Sequence, residues 1–316
     1  MARRRLSHHQ KKRIDEAQKA LTTDNDRHQE GLVISHHGGK IIVEKPDGGL
    51  ATCAVKSNLG AIVCGDLVIF EETADDEFRV LAIKPRDNLL QRLDGFGHVK
   101  SIAANITQLL ICLAVKPEPN LFLLDQYLLS AEQQRIEPVI VLNKIELLDS
   151  PEDPFKLDSI YTPIGYQVIK ISVKEQWGMA ALKSVLDEKT TVLSGVSGVG
   201  KSSITSELLP DTYIKIAEIS EANEEGRHTT RTSRLYHLPN AGNLIDTPGV
   251  RGFNPLLDPM LSVSAGFREI DQHSAHCRFA NCKHTNEPKC AVIDAVKDGE
   301  IADSRYQHYL RMLSPG

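Results

Sequence analysis

Thr190-Thr-Val-Leu193 leads through Ser194 into Gly195-Val196-Ser197-Gly198-Val199-Gly200-Lys201-Ser202-Ser203. This is a G-x-x-x-x-G-K-S loop placed directly behind an apolar run that reads as a buried strand. Gly195 and Gly200 let the backbone curl, so that successive N–H groups point inward at phosphate oxygens. Lys201 carries a positive charge toward β- and γ-phosphates, and the Ser202 hydroxyl is a magnesium ligand. Ile204 to Leu209 then continue as a helix that ends near Pro210. The unit is strand, phosphate loop, helix.

Asn243-Leu244-Ile245-Asp246-Thr247-Pro248-Gly249 is a second short apolar strand, ending in D-T-P-G. In this form Asp246 holds magnesium through water and the Gly249 N–H faces the γ-phosphate. Between the two loops lies Gly226-Arg-His-Thr-Thr230, inside a polar segment from Glu218 to Ser233. Either Thr229 or Thr230 completes the magnesium shell in the nucleoside triphosphate state. Val250 stands where many such enzymes place a water-orienting glutamine, and a valine cannot hydrogen-bond that water.

Asn143-Lys144-Ile145-Glu146 closes the apolar strand Pro138 to Leu142 and has the form of the guanine-reading N-K-x-D. An acidic side chain there accepts both N–H groups of guanine's Watson–Crick edge, which adenine does not offer. Glu146 replaces the usual aspartate, so the geometry must relax by one methylene. Ser172, after the strand Gln167 to Ile171, fits a second base-contacting loop. Both loops precede the phosphate loop, whereas an ordinary GTPase has them after it. That order is the signature of a circularly permuted domain, in which the same parallel sheet is assembled from a different cut.

Cys277-Arg-Phe-Ala-Asn-Cys282-Lys-His284-Thr-Asn-Glu-Pro-Lys-Cys290 reads as C-x4-C-x-H-x5-C. Four soft ligands this close match a closed Cys₃His zinc site, and four protein ligands indicate a structural metal. His273 and His276 lie upstream with a poorer spacing. The other thiols, Cys53, Cys64 and Cys112, sit in apolar contexts that suit reduced core cysteines and a cytoplasmic setting. No stretch reaches the apolar length of a membrane span, and the basic N-terminus has no apolar stretch of a secretory signal.

At 316 residues the chain has room for two or three cores. Its net charge of −5 conceals a basic arm: Arg3, Arg4, Arg5, Lys11, Lys12, Arg13 and Lys19 face only Asp15 and Glu16 in the first twenty positions. Such an arm binds phosphate backbones by counterion release. Five strand-like runs follow, at Gly31-Leu-Val-Ile-Ser, Lys40-Ile-Ile-Val-Glu, Leu50 to Val55, Asp66 to Phe70 and Phe78 to Ile83. They suit a small OB-type barrel. Glu71, Glu72, Asp75, Asp76 and Glu77 make one hairpin acidic, and no aromatic stacking face is evident, so docking on a preformed RNA–protein surface fits better than non-specific single-strand binding.

From Asn88 the pattern alternates between strands and helices. Gln108 to Val115 reads as a strand; Asn120 to Gln134 as a helix capped by Asn120; Trp177 to Glu188 as another helix. After Pro255 the chain turns helical around the cysteines, with a last helix from Ser304 to Leu313. The expected architecture is multidomain: a basic arm (1–30), an OB-fold β-barrel (31–87), a circularly permuted α/β P-loop GTPase domain (88–254) and a mostly helical zinc-binding domain (255–316).

Pro85-Arg86-x-Asn88, Ile102-Ala-Ala-Asn105, Leu124-Asp-x-Tyr-Leu128, Gly226-Arg-His-Thr-Thr230, Asp246-Thr-Pro-Gly249 and the Cys277 to Cys290 block occur in this order. In that combination the chain resembles the bacterial small-ribosomal-subunit-dependent, circularly permuted GTPases of the ribosome biogenesis GTPase A type, over nearly its whole length. The resemblance implies GTP hydrolysis to GDP stimulated by the small subunit, contact with ribosomal RNA near the decoding region, and a role late in subunit maturation. It also gives His228 the water-positioning role that Val250 cannot fill. A monomer with Mg²⁺ at the nucleotide and one structural Zn²⁺ is expected. Two other readings stay open on the residues alone: a nucleotide-gated RNA-binding scaffold, and a mixed-nucleotide enzyme permitted by Glu146.

Overall fold

A computed structural model describes residues 27–313 apart from 38–39, 56–58, 74–76, 95, 151–152, 210–232, 248–253, 256 and 258–261. Residues 1–26, which hold all seven Lys and Arg of the first twenty positions, and His228, Thr229, Thr230, Gly249 and Val250 therefore lie outside the described residues, whereas His28–Glu30 of the expected arm already belong to the first strand.

The first five strands are β1 (His28–His37), β2 (Lys40–Glu44), β3 (Leu50–Ala54), β4 (Leu67–Glu72) and β5 (Phe78–Ile83). They follow the two-residue alternation of a sheet with one buried face, which sends Val33, Ile41, Val43, Cys53, Val68, Phe70 and Val80 into one core. The strands run β1-β2-β3-β5-β4, and β1 also pairs with β4, so the sheet closes on itself. Only β3 and β5 are parallel. This is the expected OB barrel.

Next comes a hairpin of β6 (Leu89–Leu93) and β7 (Val99–Ala104), which β14 (Asn254–Pro255) joins from far along the chain. The α/β unit is then β8 (Gln108–Ala114), α1 (Leu121–Gln133), β9 (Glu137–Asn143), α2 (Leu157–Tyr161), β10 (Gln167–Lys170), α3 (Met179–Val185), β11 (Thr190–Ser194), α4 (Lys201–Leu208), β12 (Arg234–His237) and β13 (Asn243–Asp246). Every residue of β8 is buried, because helices cover both faces of the sheet. Leu109, Ile111 and Leu113 pack with Leu124 and Leu128 of α1 and Leu157 of α2. Leu110, Cys112 and Ala114 pack on the other side with Leu182 of α3 and Ile204 of α4.

The order across this sheet is β12-β13-β11-β8-β9-β10, parallel except for the β12–β13 hairpin. Counted from β11 as the first strand and wrapped through β8, it reads 2-3-1-4-5-6. The sheet is thus a doubly wound one cut between its third and fourth strands, which is the permutation read from the loop order.

Helix α1 begins as expected, with the Asn120 side chain accepting from the Leu123 N–H at 3.0 Å. The helix expected from Trp177 starts two residues later. Trp177 instead exchanges backbone hydrogen bonds with Ser172 (3.0 and 3.1 Å), and Gly178 caps α3 at φ 72°. Three further helices, α5 (Arg268–Ser274), α6 (Ala291–Lys297) and α7 (Asp303–Leu313), surround the cysteine cluster and share an apolar core with Leu129 of α1.

The barrel is joined to the α/β unit by polar contacts as well as by chain. Arg86 forks onto Asp66, with Nε to Oδ1 at 2.6 Å and Nη2 to Oδ2 at 2.7 Å, while Asp66 also accepts from the Val63 N–H. The Asn88 carboxamide brackets the Ile106 backbone, Nδ2 donating to its carbonyl and Oδ1 accepting from its N–H, and Asn105 reaches the Gly65 carbonyl at 2.8 Å. Gly65 has φ 87°, and a Cβ there would sit 2.1 Å from the Ala104 carbonyl oxygen. Asp66 is fully buried. Removing its partner strands a carboxylate in the core, so Arg86→Ala is expected to lower stability by about 3 kcal/mol. A denaturant midpoint within error of the parent would contradict that.

Candidate nucleotide site and metal centre

All five parallel strands point their carboxyl ends the same way, and the loops flagged in the sequence lie at those ends. Gly195, Gly198 and Gly200 take φ values of 139°, 85° and 96°, a region that side chains rarely tolerate. Gly195 crosses so closely over β8 that a Cβ would lie 2.3 Å from the Cys112 carbonyl oxygen. Lys201 opens α4 with Gly200 as its cap, and its Nζ folds over the loop to donate to the Gly195 and Val196 carbonyls at 2.7 and 2.8 Å. Ser197, Ser202 and Ser203 are exposed at the rim, and Val199 is buried.

Asn143 ends β9 and is only 2% exposed. Its Nδ2 donates to the Val199 carbonyl at 2.9 Å, and its Oδ1 accepts from the Lys144 N–H at 2.8 Å. Lys144, in the left-handed region at φ 62°, donates from Nζ to the Gly198 carbonyl at 2.5 Å and to the Lys116 carbonyl at 2.9 Å. The two loops that sequence order separates by more than fifty positions are therefore hydrogen-bonded to one another. Ile145 and Glu146 follow in a single 3-10 turn, anchored by the Ile145 N–H on the Ile171 carbonyl at 3.3 Å. Ser172 is 1% exposed, and its Oγ accepts from the Glu175 N–H at 3.0 Å.

Glu146 Oε2 is buried with no hydrogen-bond partner among the described residues, and so is Thr247 Oγ1. Two orphaned acceptors at the carboxyl ends of the sheet match a site built to meet ligand donors or a cation. Asp246 ends β13, and continuing the β11–β13 register sets it beside Leu193, at the entrance to the phosphate loop. Asn143, Lys144, Ile145, Glu146, Ser172, Gly195–Ser203 and Asp246 thus gather at the same ends of one sheet. The two threonines, His228 and Gly249 fall outside the described residues.

In the C-terminal unit, the ligand atoms of Cys277, Cys282, His284 and Cys290 all lie within 4.8 Å of one another. Cys277 Sγ is 3.5 Å from His284 Nδ1 and 3.8 Å from Cys290 Sγ, and His284 Nδ1 is 3.4 Å from Cys290 Sγ. Ligand bonds of about 2.3 Å to sulfur and 2.0 Å to nitrogen give tetrahedral edges of about 3.5–3.8 Å, so the cluster has the size of a metal-centred tetrahedron. Burial lowers the His284 pKa, keeping the imidazole neutral and able to ligate, and burial pushes the Cys282 thiol up to about 12. Holding that sulfur as a thiolate near neutrality requires a central cation. His273 and His276 are not in the cluster.

The sequence reading missed the frame of this knuckle. The Glu287 carboxylate accepts from the backbone N–H groups of Lys283, Thr285 and Asn286 at 2.8, 2.8 and 3.1 Å, and the bond from Lys283 leads in holding its pKa down at about 2. Tyr306 and Tyr309 of α7 donate to the carbonyls of His284 and Lys283 at 2.7 and 2.9 Å. The only signal was the Glu-Pro pair between the third and fourth ligands. The remaining thiols are inert by burial, which raises Cys53 to about 11 and Cys64 and Cys112 to about 12.

A model of the RsgA GTPase family matches residues 83–255. The small ribosomal subunit biogenesis GTPase RsgA of Saccharophagus degradans is 40% identical, over 99% of this chain and 97% of its own length. The crystal structure of YjeQ from Thermotoga maritima superposes with a TM-score of 0.72 at 30% identity, covering 90% of this chain and 97% of that one. YloQ, described as a circularly permuted GTPase, superposes with a TM-score of 0.70 at 29% identity, over 93% of this chain and 96% of its own.

A metal held by all four ligands would tie the stability of the knuckle to the ion. Cys290→Ser is expected to abolish most metal retention in elemental analysis and lower the thermal midpoint by about 5–10 °C. Full metal content with an unchanged midpoint would contradict a metal-bearing cluster.

Proposed function

The chain belongs to the RsgA GTPase family, and from that premise we propose how its own residues bind GTP and how the small ribosomal subunit controls the reaction. It is a GTPase of small-subunit biogenesis, hydrolysing GTP to GDP and phosphate. The observation that carries the site assignment is the bonding of Asn143 to Val199 and Lys144 to Gly198, which ties the base loop to the phosphate loop.

The N–H groups of Gly195–Ser203 cradle the α- and β-phosphates, and Lys201 Nζ exchanges its carbonyl partners for β- and γ-phosphate oxygens. Ser202 and Asp246 would hold magnesium, joined by Thr229 or Thr230 in the GTP state, with the Gly249 N–H facing the γ-phosphate. An ion held there would supply positive charge against the negative charge that develops on the phosphate oxygens. Glu146 accepts from guanine N1–H and the 2-amino group; its buried, unpartnered Oε2 supports this assignment, and Ser172 backs the base. His228 orients the attacking water once the segment around it is brought to the phosphates, because Val250 cannot.

We assign zinc to the Cys₃His knuckle, since a closed all-protein set of three thiolates and one imidazole is a structural zinc site. Iron instead of zinc in elemental analysis would overturn that. The units proposed are the basic arm (1–30), the barrel (31–87), the permuted GTPase domain (88–254) and the zinc domain (255–316). The arm and barrel reach ribosomal RNA, and the protein works as a cytoplasmic monomer. No helix among the described residues is long and apolar enough to cross a membrane.

Purified small subunits are expected to raise GTP turnover by at least about tenfold, and His228→Ala to bind GTP and subunit while losing most of that rise. Equal turnover with and without subunits would leave only a nucleotide-gated scaffold. Glu146→Gln replaces a carboxylate oxygen with an N–H donor facing guanine's own donors. GTP affinity should fall about a hundredfold or more, and XTP, with a carbonyl at that position, should gain relative to GTP. Unchanged GTP and XTP competition would remove Glu146 from the base site.

A further inference from the structure

Arg305 of α7 is 1% exposed, although an arginine is rarely buried without compensating partners. Its Nη1 donates to Asp125 Oδ1 of α1 at 2.6 Å, and its Nε and Nη2 donate to the two carboxylate oxygens of Glu269 of α5 at 2.7 and 3.1 Å. Asp125 is fully buried and Glu269 4% exposed. Tyr161 OH donates to the same Asp125 oxygen at 2.8 Å, and His308 Nδ1 meets the other at 2.5 Å. The guanidinium also lies 4.4 Å over the Phe267 ring. Burial alone would lower the Arg305 pKa, but the Asp125 and Glu269 carboxylates outweigh it and raise it.

Both ends of this network lead to sites already described. On one side, Leu123, Leu124 and Tyr127 of α1 line a small cavity together with Gly195, Val196 and Val199 of the phosphate loop. On the other, Tyr306, the neighbour of Arg305 on α7, donates to the carbonyl of the metal ligand His284. Buried ion pairs are often no more stabilising than apolar replacements, but they demand one geometry. A guanidinium that forks onto carboxylates from two units fixes their relative angle more tightly than packing does.

We propose that Arg305 is a positioning residue: bridging Asp125 and Glu269, it sets the angle of the metal domain against the helix that backs the phosphate loop, so that subunit contact reaches the nucleotide. The second half rests on the subunit-stimulated reading above.

The test uses the full chain in two variants. Arg305→Lys keeps the charge but cannot fork onto both carboxylates. Asp125→Asn/Glu269→Gln/Arg305→Met removes all three charges, leaving no unpaired one. Spin labels attached by non-cysteine chemistry at the exposed Lys183 of α3 and Lys297 of α6 report the angle. The parent should give one narrow distance, and whichever variant retains cooperative unfolding should give a broadened one. Its basal GTP turnover should stay within about twofold, while the stimulated rate falls about tenfold with subunit binding retained. A narrow distance in the variants, or equal loss of basal and stimulated rates, overturns the proposal. A parent not stimulated by subunits would instead overturn the functional reading, and the distance measurement would still decide the role of Arg305.

Discussion

The tie between Asn143 and Val199 is the constraint on which the site depends. A carboxamide almost wholly buried at the end of β9 has its Nδ2 on the phosphate loop and its Oδ1 on the next residue of its own loop. Left unpaired there, either group would cost about 1–3 kcal/mol, so the two loops hold each other in place. Lys144 repeats the tie at Gly198 and extends it to Lys116, which brings in the loop before α1. Three connections from three strands are thereby locked into one surface. None of these bonds depends on which strand the chain enters first, which is why a rotated order leaves the surface intact.

Rotation does alter what the ends of the domain touch. Ser35 of β1 pairs with Arg234 of β12, so the barrel and the nucleotide-binding sheet are hydrogen-bonded through one edge strand. Cys64 adds a bond to the Ser233 carbonyl at 3.2 Å, and His237 one to Glu44 at 2.8 Å. The metal domain takes a different flank, seating Phe267, Ile270 and Val292 against Leu129 of α1. Two appended units thus grip the catalytic one at the strand after the residue 210–232 segment and at the helix behind the phosphate loop.

Local chemistry was legible in the sequence because it needs few residues close together. Glycines at 195 and 200, the Asn120 cap, each short strand between residues 31 and 84 and the four candidate metal ligands all announced themselves over spans shorter than about twenty positions. The Trp177 misreading is informative: the helix was expected to begin at that residue, but Gly178 in the left-handed region caps it only from Met179 onward and leaves Trp177 58% exposed. What stayed hidden were contacts between distant positions. Asp125 and Arg305 are 180 residues apart, and nothing local distinguishes that arginine from a solvated one. Arg86 with Asp66 and Glu287 with its three N–H donors were likewise visible only as letters in a motif, since their meaning lies in a partner or a backbone shape.

One measurement bears on the whole account most directly: a crystal structure with magnesium and a non-hydrolysable GTP analogue. The geometry predicts a single nucleotide, its guanine edge within hydrogen-bond distance of Glu146 and its β-phosphate inside the loop from Gly195 to Lys201. A base bound away from Asn143 and Glu146, with the phosphates alone in the loop, would contradict it.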